Sequence, residues 1–565
     1  MGRITRQEWA WALTVAALTV VLSSIPCVVG YLSQTPERLF VGAVYDWEDH
    51  YSYLAKMQQG MQGDWEFRLL FTPEDHAGAP IYTFHIALGH LSRALGLSPL
   101  PVYHAARLVC GMLLLVTIYG FIAAFIPARG DRLPMSSAEM DSALFRRRVA
   151  YVLACFSSGL GWLVLLVSRS TTLGGITPMD FWFIEMSTFF TVLTFPHTCL
   201  AVAAHLAAFA WMIRCLLGVG GWRDWLAAGG AALVLAAVHP HSLLPLDLAL
   251  VLYGLFRLIR KGRAAVRPLM LLGGFVLLPV PLVFLQYYTI TANPVFMAWQ
   301  AQNLTLSPPP LHYVLGYGLV LLFAVWGAVQ ALRARDERLL PLLLWPLVVA
   351  PLLYAPIAFN LQRRMIDGLQ VPLSVLATVG LVDGLLPAVR RSRLAGWLAQ
   401  RGYDRMRLGR FVTLLALALT TPSTWYLLLS LTLGAAAGYR PLYYSQAEVE
   451  AIRWLGEHSM PQDTVLSSYE VGGIIPAWTG HRVFWGHWAE TIHLSQKRAE
   501  AEAFYSADEA FDRAGFLHRY GVAYVFYGPR EREMGGFDPA VAPYLEAVFR
   551  VGDVTIYRVI QQEAP

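Results

Sequence analysis

Charge is what this sequence of 565 residues has least of. Asp, Glu, Lys and Arg make up 14% of it against 56% for hydrophobic residues, and the mean hydropathy is +0.47. Soluble proteins carry about 25% charged residues, so the composition excludes a wholly soluble chain and implies a polytopic membrane protein. Cysteine is also scarce. Cys27, Cys110, Cys155, Cys199 and Cys215 all lie in or beside apolar runs, with no CxxC, which excludes a disulfide framework or a zinc finger. Neither GxGxxG nor a P-loop occurs, and Gly472-Gly473 does not make one, so no nucleotide site is indicated. No internal repeat and no low-complexity linker is evident.

What the sequence does have is long apolar runs. They lie near 9–31, 103–127, 149–168, 197–216, 225–240, 243–256, 267–288, 311–332, 339–357, 366–387 and 411–434, which predicts about eleven transmembrane helices. The first run is too long for a signal-peptide core and lacks a small-residue cleavage site, so it is expected to stay as an anchor. The pair at 225–256 is interrupted by His239-Pro240-His241-Ser242 and predicts a broken or re-entrant hairpin. Arginine orients the set: Arg3 and Arg6 precede the first run, Arg129, Arg132 and Arg146-Arg147-Arg148 fill the second connection, and further arginines follow at 257–267, 333–338 and 390–410. By the positive-inside rule those ends are cytoplasmic. The expectation is a multi-pass cell-membrane protein with the N-terminus inside, and with the loop 32–102 and the C-terminal region outside. The same basic loops account for the net charge of +5 without a nucleic-acid partner, and they suit contact with anionic membrane lipid.

The loop after the first run carries Tyr45-Asp46-Trp47-Glu48-Asp49-His50, then Tyr53 and Lys56, and reaches Gly63-Asp64-Trp65. Three close acids repel one another, so one is expected to hold its proton to a higher pH, as a general base requires. Beyond about Ala437 the apolar runs end. A helix is predicted at 445–458, strands at 464–468, 482–486 and 523–528, helical stretches near 497–521, and a hairpin of 547–550 with 554–557 turning at Gly552-Asp553. The fold class is therefore mainly α: a polytopic helical bundle over 1–436 with a large first outer loop, and an extracytoplasmic α/β domain over 437–565.

Four motifs in order carry a resemblance. They are Asp49 followed by Tyr53 and Gly63-Asp64-Trp65; Phe71-Thr72-Pro73-Glu74 with a juxtamembrane helix over 80–95 and Tyr103-His104-Ala105-Ala106-Arg107; Phe195-Pro196-His197; and Arg363-Arg364-Met365-Ile366-Asp367-Gly368 with Pro372. Over residues 9–390 the chain resembles the GT-C superfamily, polytopic glycosyltransferases that use polyprenyl-phosphate-linked sugars, among them the aminoarabinose and protein mannosyl transferases. The resemblance implies a polyprenyl-phosphate sugar donor and a lipid, glycan or protein acceptor. It also implies transfer on the outer face of the membrane.

For that chemistry Asp49 is the expected base, because it matches the family spacing to Tyr53; Asp46 is the reserve, and Glu48 orients a partner or binds a metal. Displacement by one base inverts the anomeric centre. Arg363 and Arg364, at the mouth of an apolar run, suit a clamp on the lipid phosphate, with Arg364 preferred for its Arg-x-x-acid-Gly pattern. Equally, one of them could simply pair with Asp367. Among the outer histidines, His50 and His197 are the favoured ligands. A divalent cation is a possible cofactor, with Asp46, Glu48, Asp49 and His50 as candidate ligands. Two other classes stay open: a transporter, for which Asp247 and Asp383 are the buried acids, and a non-catalytic protein of cell-envelope polymer assembly. Trp485-Gly486-His487-Trp488-Ala489-Glu490-Thr491 fits either a carbohydrate-facing surface or a buried strand end.

Overall fold

The computed structural model describes residues 4–127, 137–356, 361–401 and 405–560. Arg3, Arg129 and Arg132 of the charge pattern lie outside the described residues. Among the described residues six helices are long and apolar enough to cross a membrane: Arg6–Leu32, Pro99–Phe125, Pro196–Leu217, Pro240–Thr291, Pro310–Arg333 and Gln370–Arg391. Two bent pairs, Ser142–Phe156 with Gly161–Ser168 and Arg407–Leu419 with Pro422–Ala437, raise the number to eight. The chain is a multi-pass membrane protein. Eleven runs were expected, and the difference lies where runs break. Leu340–Leu352, with 13 residues, is short of a full crossing, and Trp222–Val238, with 17, stands at the lower limit of one. The runs at 243–256 and 267–288 form one apolar stretch of 52 residues interrupted at Gly262, whose φ of +53° is a turn conformation.

Contacts divide the chain into two compact units. The first contains residues 1–25, 106–283 and 305–430. Its core is a helical bundle in which charges are matched. Arg147, one of the arginines of the topology signal, is fully buried, donating to Glu8 Oε1 at 2.6 Å and to the Ile126 carbonyl at 2.7 Å. Asp383 was expected to be buried, but it is exposed and pairs with Arg146 at 2.5 Å.

The second unit contains residues 26–105, 284–304 and 431–565, so the first loop and the C-terminal region fold together. That division follows contacts, whereas the boundary at 436/437 follows composition. A four-stranded sheet runs in the order Thr464–Leu466, Val522–Tyr527, Val554–Val559, Leu545–Val551; its first pair is parallel and the others antiparallel. The helices Gln446–His458, Leu494–Tyr505 and Arg513–Arg519 lie where the periodicity puts them. The segment 482–486 is not a strand; only Val483 bridges, to Val465. After Arg482 it is buried throughout, from Val483 to Gly486, and so lacks the in-and-out alternation of a sheet edge. The loop itself is largely helical. Trp47–Gln62 packs on Thr83–Leu95 through two glycines: a Cβ at Gly60 would stand 2.1 Å from the Ile86 carbonyl oxygen, and one at Gly89 2.0 Å from that of Met57. Leu39–Phe40 pairs antiparallel with Tyr443–Tyr444, and the Val483 amide donates to the Leu70 carbonyl at 2.8 Å.

Candidate functional site

The acids expected on an open loop form the start of the Trp47–Gln62 helix. Glu48 and Asp49 occupy its first turn, where the helix dipole favours negative charge, and Asp46 precedes it with φ of +46°. That conformation is rare for residues other than glycine, asparagine and aspartate. Helical spacing then decides the neighbours. Asp49 and Tyr53 are four apart on one face, and the Tyr53 hydroxyl donates to Asp49 Oδ2 at 3.5 Å. Glu48 turns aside and accepts from the Tyr469 hydroxyl. His50 also leaves the acid face and packs edge-on against Tyr103, with ring centroids 4.8 Å apart. Of the four residues expected to share a metal, Glu48 and His50 thus face Tyr469 and Tyr103, while Asp46 and Asp49 stay close to each other.

The segment 485–491 completes this cluster. The backbone amides of Ala489 and Glu490 both donate to His487 Nδ1 at 3.1 Å. Nδ1 therefore carries no proton, and Nε2 carries it, 3.3 Å from Asp49 Oδ1. His487 is 3% exposed and Asp49 19%, so the histidine is locked while the carboxylate still opens outward. Glu490 is buried beside them. It accepts from Lys56 Nζ at 2.7 Å and from the Ser52 hydroxyl at 2.6 Å, and Lys56 also donates to Ser52. Burial opposes its charge, yet Lys56 and His487 hold the Glu490 carboxyl below the usual range. Asp46 goes the other way: burial, reinforced by the charge of Asp49, pushes it up to about 8. Of the acids, the reserve candidate is the one that keeps its proton near neutrality.

A second cluster lies within the first unit. Arg364 does not pair with Asp367; its Nη1 donates to Glu185 Oε1 at 3.2 Å. Burial pushes Glu185 up, and Arg364 opposes that. Arg363 lies against the faces of Trp182 and Phe183, 5.2 and 5.3 Å from their centroids, and its amide donates to the Thr305 carbonyl at 3.1 Å. Asp367 is instead surrounded by the break between two helices. His239 Nδ1, His241 Nε2 and the Ser242 hydroxyl approach its Oδ2 at 2.8, 3.2 and 2.7 Å. Burial would raise this carboxyl, but the two histidines hold it well below the usual range. His197, at the start of the Pro196–Leu217 helix, is buried with its ring 5.3 Å from that of His239.

His487, Glu490, Lys56 and Glu185 did not stand out in the sequence. His487 and Glu490 lay in a segment with two equal interpretations, and burial decides between them. His239 and His241 were visible as a helix break and among the outer histidines that could bind a divalent cation, but His50 and His197 were preferred to them.

No protein-family model matches the chain, and no curated protein matches its sequence. Solved structures do. The arabinofuranosyltransferase AftD from Mycobacteria superposes with a TM-score of 0.54 at 16% identity, over 100% of this chain and 42% of that one. ArnT from Cupriavidus metallidurans bound to undecaprenyl phosphate gives 0.50 at 14% identity, over 96% of this chain and 98% of that one. The Archaeoglobus fulgidus oligosaccharyltransferase tethered with an acceptor peptide gives 0.50 at 13% identity, over 92% of this chain and 69% of that one. At these identities the likeness is one of fold. The chain has the fold of the GT-C membrane glycosyltransferases.

Proposed function

We propose that this protein is a membrane glycosyltransferase that moves a sugar from a polyprenyl-phosphate-linked donor to an acceptor hydroxyl or amine on the outer face of the membrane. The fold supports the class, and the undecaprenyl phosphate bound by the similar ArnT supports a lipid-phosphate donor. The observation that carries the proposal is the placement of Asp49: partly open, and faced by a histidine whose Nδ1 is held by two backbone amides. Asp46 keeps its proton near neutral pH, so it is the poorer proton acceptor of the two, and Asp49 is the acid assigned to proton abstraction from the acceptor. As the acceptor oxygen or nitrogen bonds to the anomeric carbon, its proton passes to Asp49 and the bond to the lipid phosphate breaks. A single displacement inverts that carbon. Negative charge grows on the departing phosphate, and Arg364, 23% exposed beside Glu185, is the cation assigned to it. The acceptor is a lipid, glycan or protein.

One assay tests base and clamp together: transfer from a polyprenyl-phosphate sugar in reconstituted membranes. Asp49→Asn should lower turnover by about 10²-fold or more with donor binding intact, the usual scale for losing a general base. Arg364→Ala should weaken donor use by about 2 kcal/mol, the scale of a charge-assisted bond. Full activity in both Asp49→Asn and Asp46→Asn would refute the assignment and favour a transporter or scaffold.

A further inference from the structure

Asp367 is crowded on one side and bare on the other. A carboxylate has about four acceptor directions shared by two oxygens. Here three donors, His239 Nδ1, His241 Nε2 and Ser242 Oγ, converge on Oδ2 alone. Among the described residues no donor reaches the buried Oδ1. A hydrogen-bond network would divide the donors between the oxygens, because a buried acceptor left without a partner costs about 1–3 kcal/mol. A cation placed among the two imidazoles and the carboxylate accounts for the convergence of both ring nitrogens on one carboxylate oxygen. Both ring nitrogens then turn lone pairs toward the ion, and the ion, rather than three N–H and O–H groups, neutralises the acid.

We propose that His239, His241 and Asp367 hold a divalent transition-metal ion of the zinc class. Among the described residues these three are the group of His, Cys, Asp and Glu side chains whose ligand atoms, all within 4.8 Å of one another, could hold an ion. Tetrahedral zinc with ligands at about 2.0–2.1 Å separates neighbouring donor atoms by about 3.3 Å. The distances of 2.8 and 3.2 Å from the ring nitrogens to Oδ2 need only a small expansion to reach it. Two imidazoles select zinc, cobalt or nickel over magnesium and calcium, which prefer oxygen. The side chains of His239, His241 and Asp367 are 5, 10 and 1% exposed, so the site is preorganised, and Pro240 separates the two histidines on the helix break. The Ser242 hydroxyl, 2.7 Å from Oδ2, becomes the outer partner that orients the carboxylate. Three protein ligands leave a fourth position for water or an anionic oxygen, the arrangement of sites that bind a substrate group.

The test is metal binding by the purified full chain in detergent after chelator treatment, read without any transferase assay. Cobalt should bind with one equivalent, give the visible absorption of a tetrahedral site without thiolate charge transfer, and be displaced by zinc. His239→Ala/His241→Ala should abolish that signal and Asp367→Asn should weaken binding at least tenfold, while His458→Ala should leave it unchanged. If the double variant fails to fold, X-ray absorption of the zinc-loaded wild type decides, with two imidazoles and an oxygen ligand expected. Sulfur ligation, fewer than two imidazoles, binding of magnesium or calcium alone, or an unchanged cobalt signal in a folded double variant would overturn the proposal.

Discussion

Asp46 joins an unusual backbone conformation to an unusual proton affinity, and the two can be separated by one substitution. Asparagine tolerates the left-handed region as aspartate does, so Asp46→Asn removes the charge without straining the turn. The folded carboxyl titrates at about 8 and the unfolded one near 3.8. Between those values the native state holds more protons than the unfolded state, so this group makes stability fall as pH rises, until the loss is complete above the folded value. Relative to wild type, Asp46→Asn should therefore gain thermal stability from pH 6 to about pH 8 and level off by pH 9 in detergent. A constant difference across that range would show that Asp46 ionises normally. Lys497 is a second buried group with a displaced affinity: burial lowers its amine to about 8 even though Glu74 holds it at 2.7 Å.

The helix Trp47–Gln62 is tied to the segment 485–491 by a buried ion pair, Lys56 with Glu490, at 1 and 4% exposure. Removing one member leaves the other charged and buried, at a cost of about 3–5 kcal/mol, whereas removing both charges costs far less. Lys56→Met should thus lower the unfolding midpoint sharply and Lys56→Met/Glu490→Gln should recover most of it. Simple additivity of Lys56→Met and Glu490→Gln would show that the pair is not coupled. Local signals made the helix itself legible in part: acids at its start, the glycines at 60 and 63 and the aromatic residues were all visible, yet the stretch looked like a loop because its mean hydropathy is low. What marks it as a buried helix is its partners, and Glu490 lies 434 positions from Lys56. The same holds for Asp367, whose histidine partners are 126 and 128 positions away. Periodicity reports only which residues share a face, so the Asp49–Tyr53 neighbourhood could be read from spacing, but the position of His487 could not. The strand expected at 482–486 failed for the complementary reason: the short buried run Val483-Phe484-Trp485 looks alike in any conformation.

For the whole molecule, the arginine pattern remains the guide to orientation, although Arg147 shows that one of its members is internal. A reporter fused after Pro565 should sit on the extracytoplasmic side, as should a tag inserted at the exposed Trp65. A cytoplasmic signal from either would remove the outward site and with it the proposed reaction. The apolar runs were legible because a membrane demands continuous hydrophobicity; their number was not, since breaks at Gly262 and His239-Pro240 decide whether a run crosses once, twice or not at all. The pairing of Leu39–Phe40 with Tyr443–Tyr444, and of Lys56 with Glu490, also sets a schedule for biosynthesis. At about 5–20 residues per second, the ribosome needs roughly 20–90 s to reach Glu490 after Lys56 emerges. Throughout that interval the N-terminal loop holds an uncompensated lysine and an unpaired strand edge, so the nascent chain is a client for chaperones and proteases until its last quarter arrives.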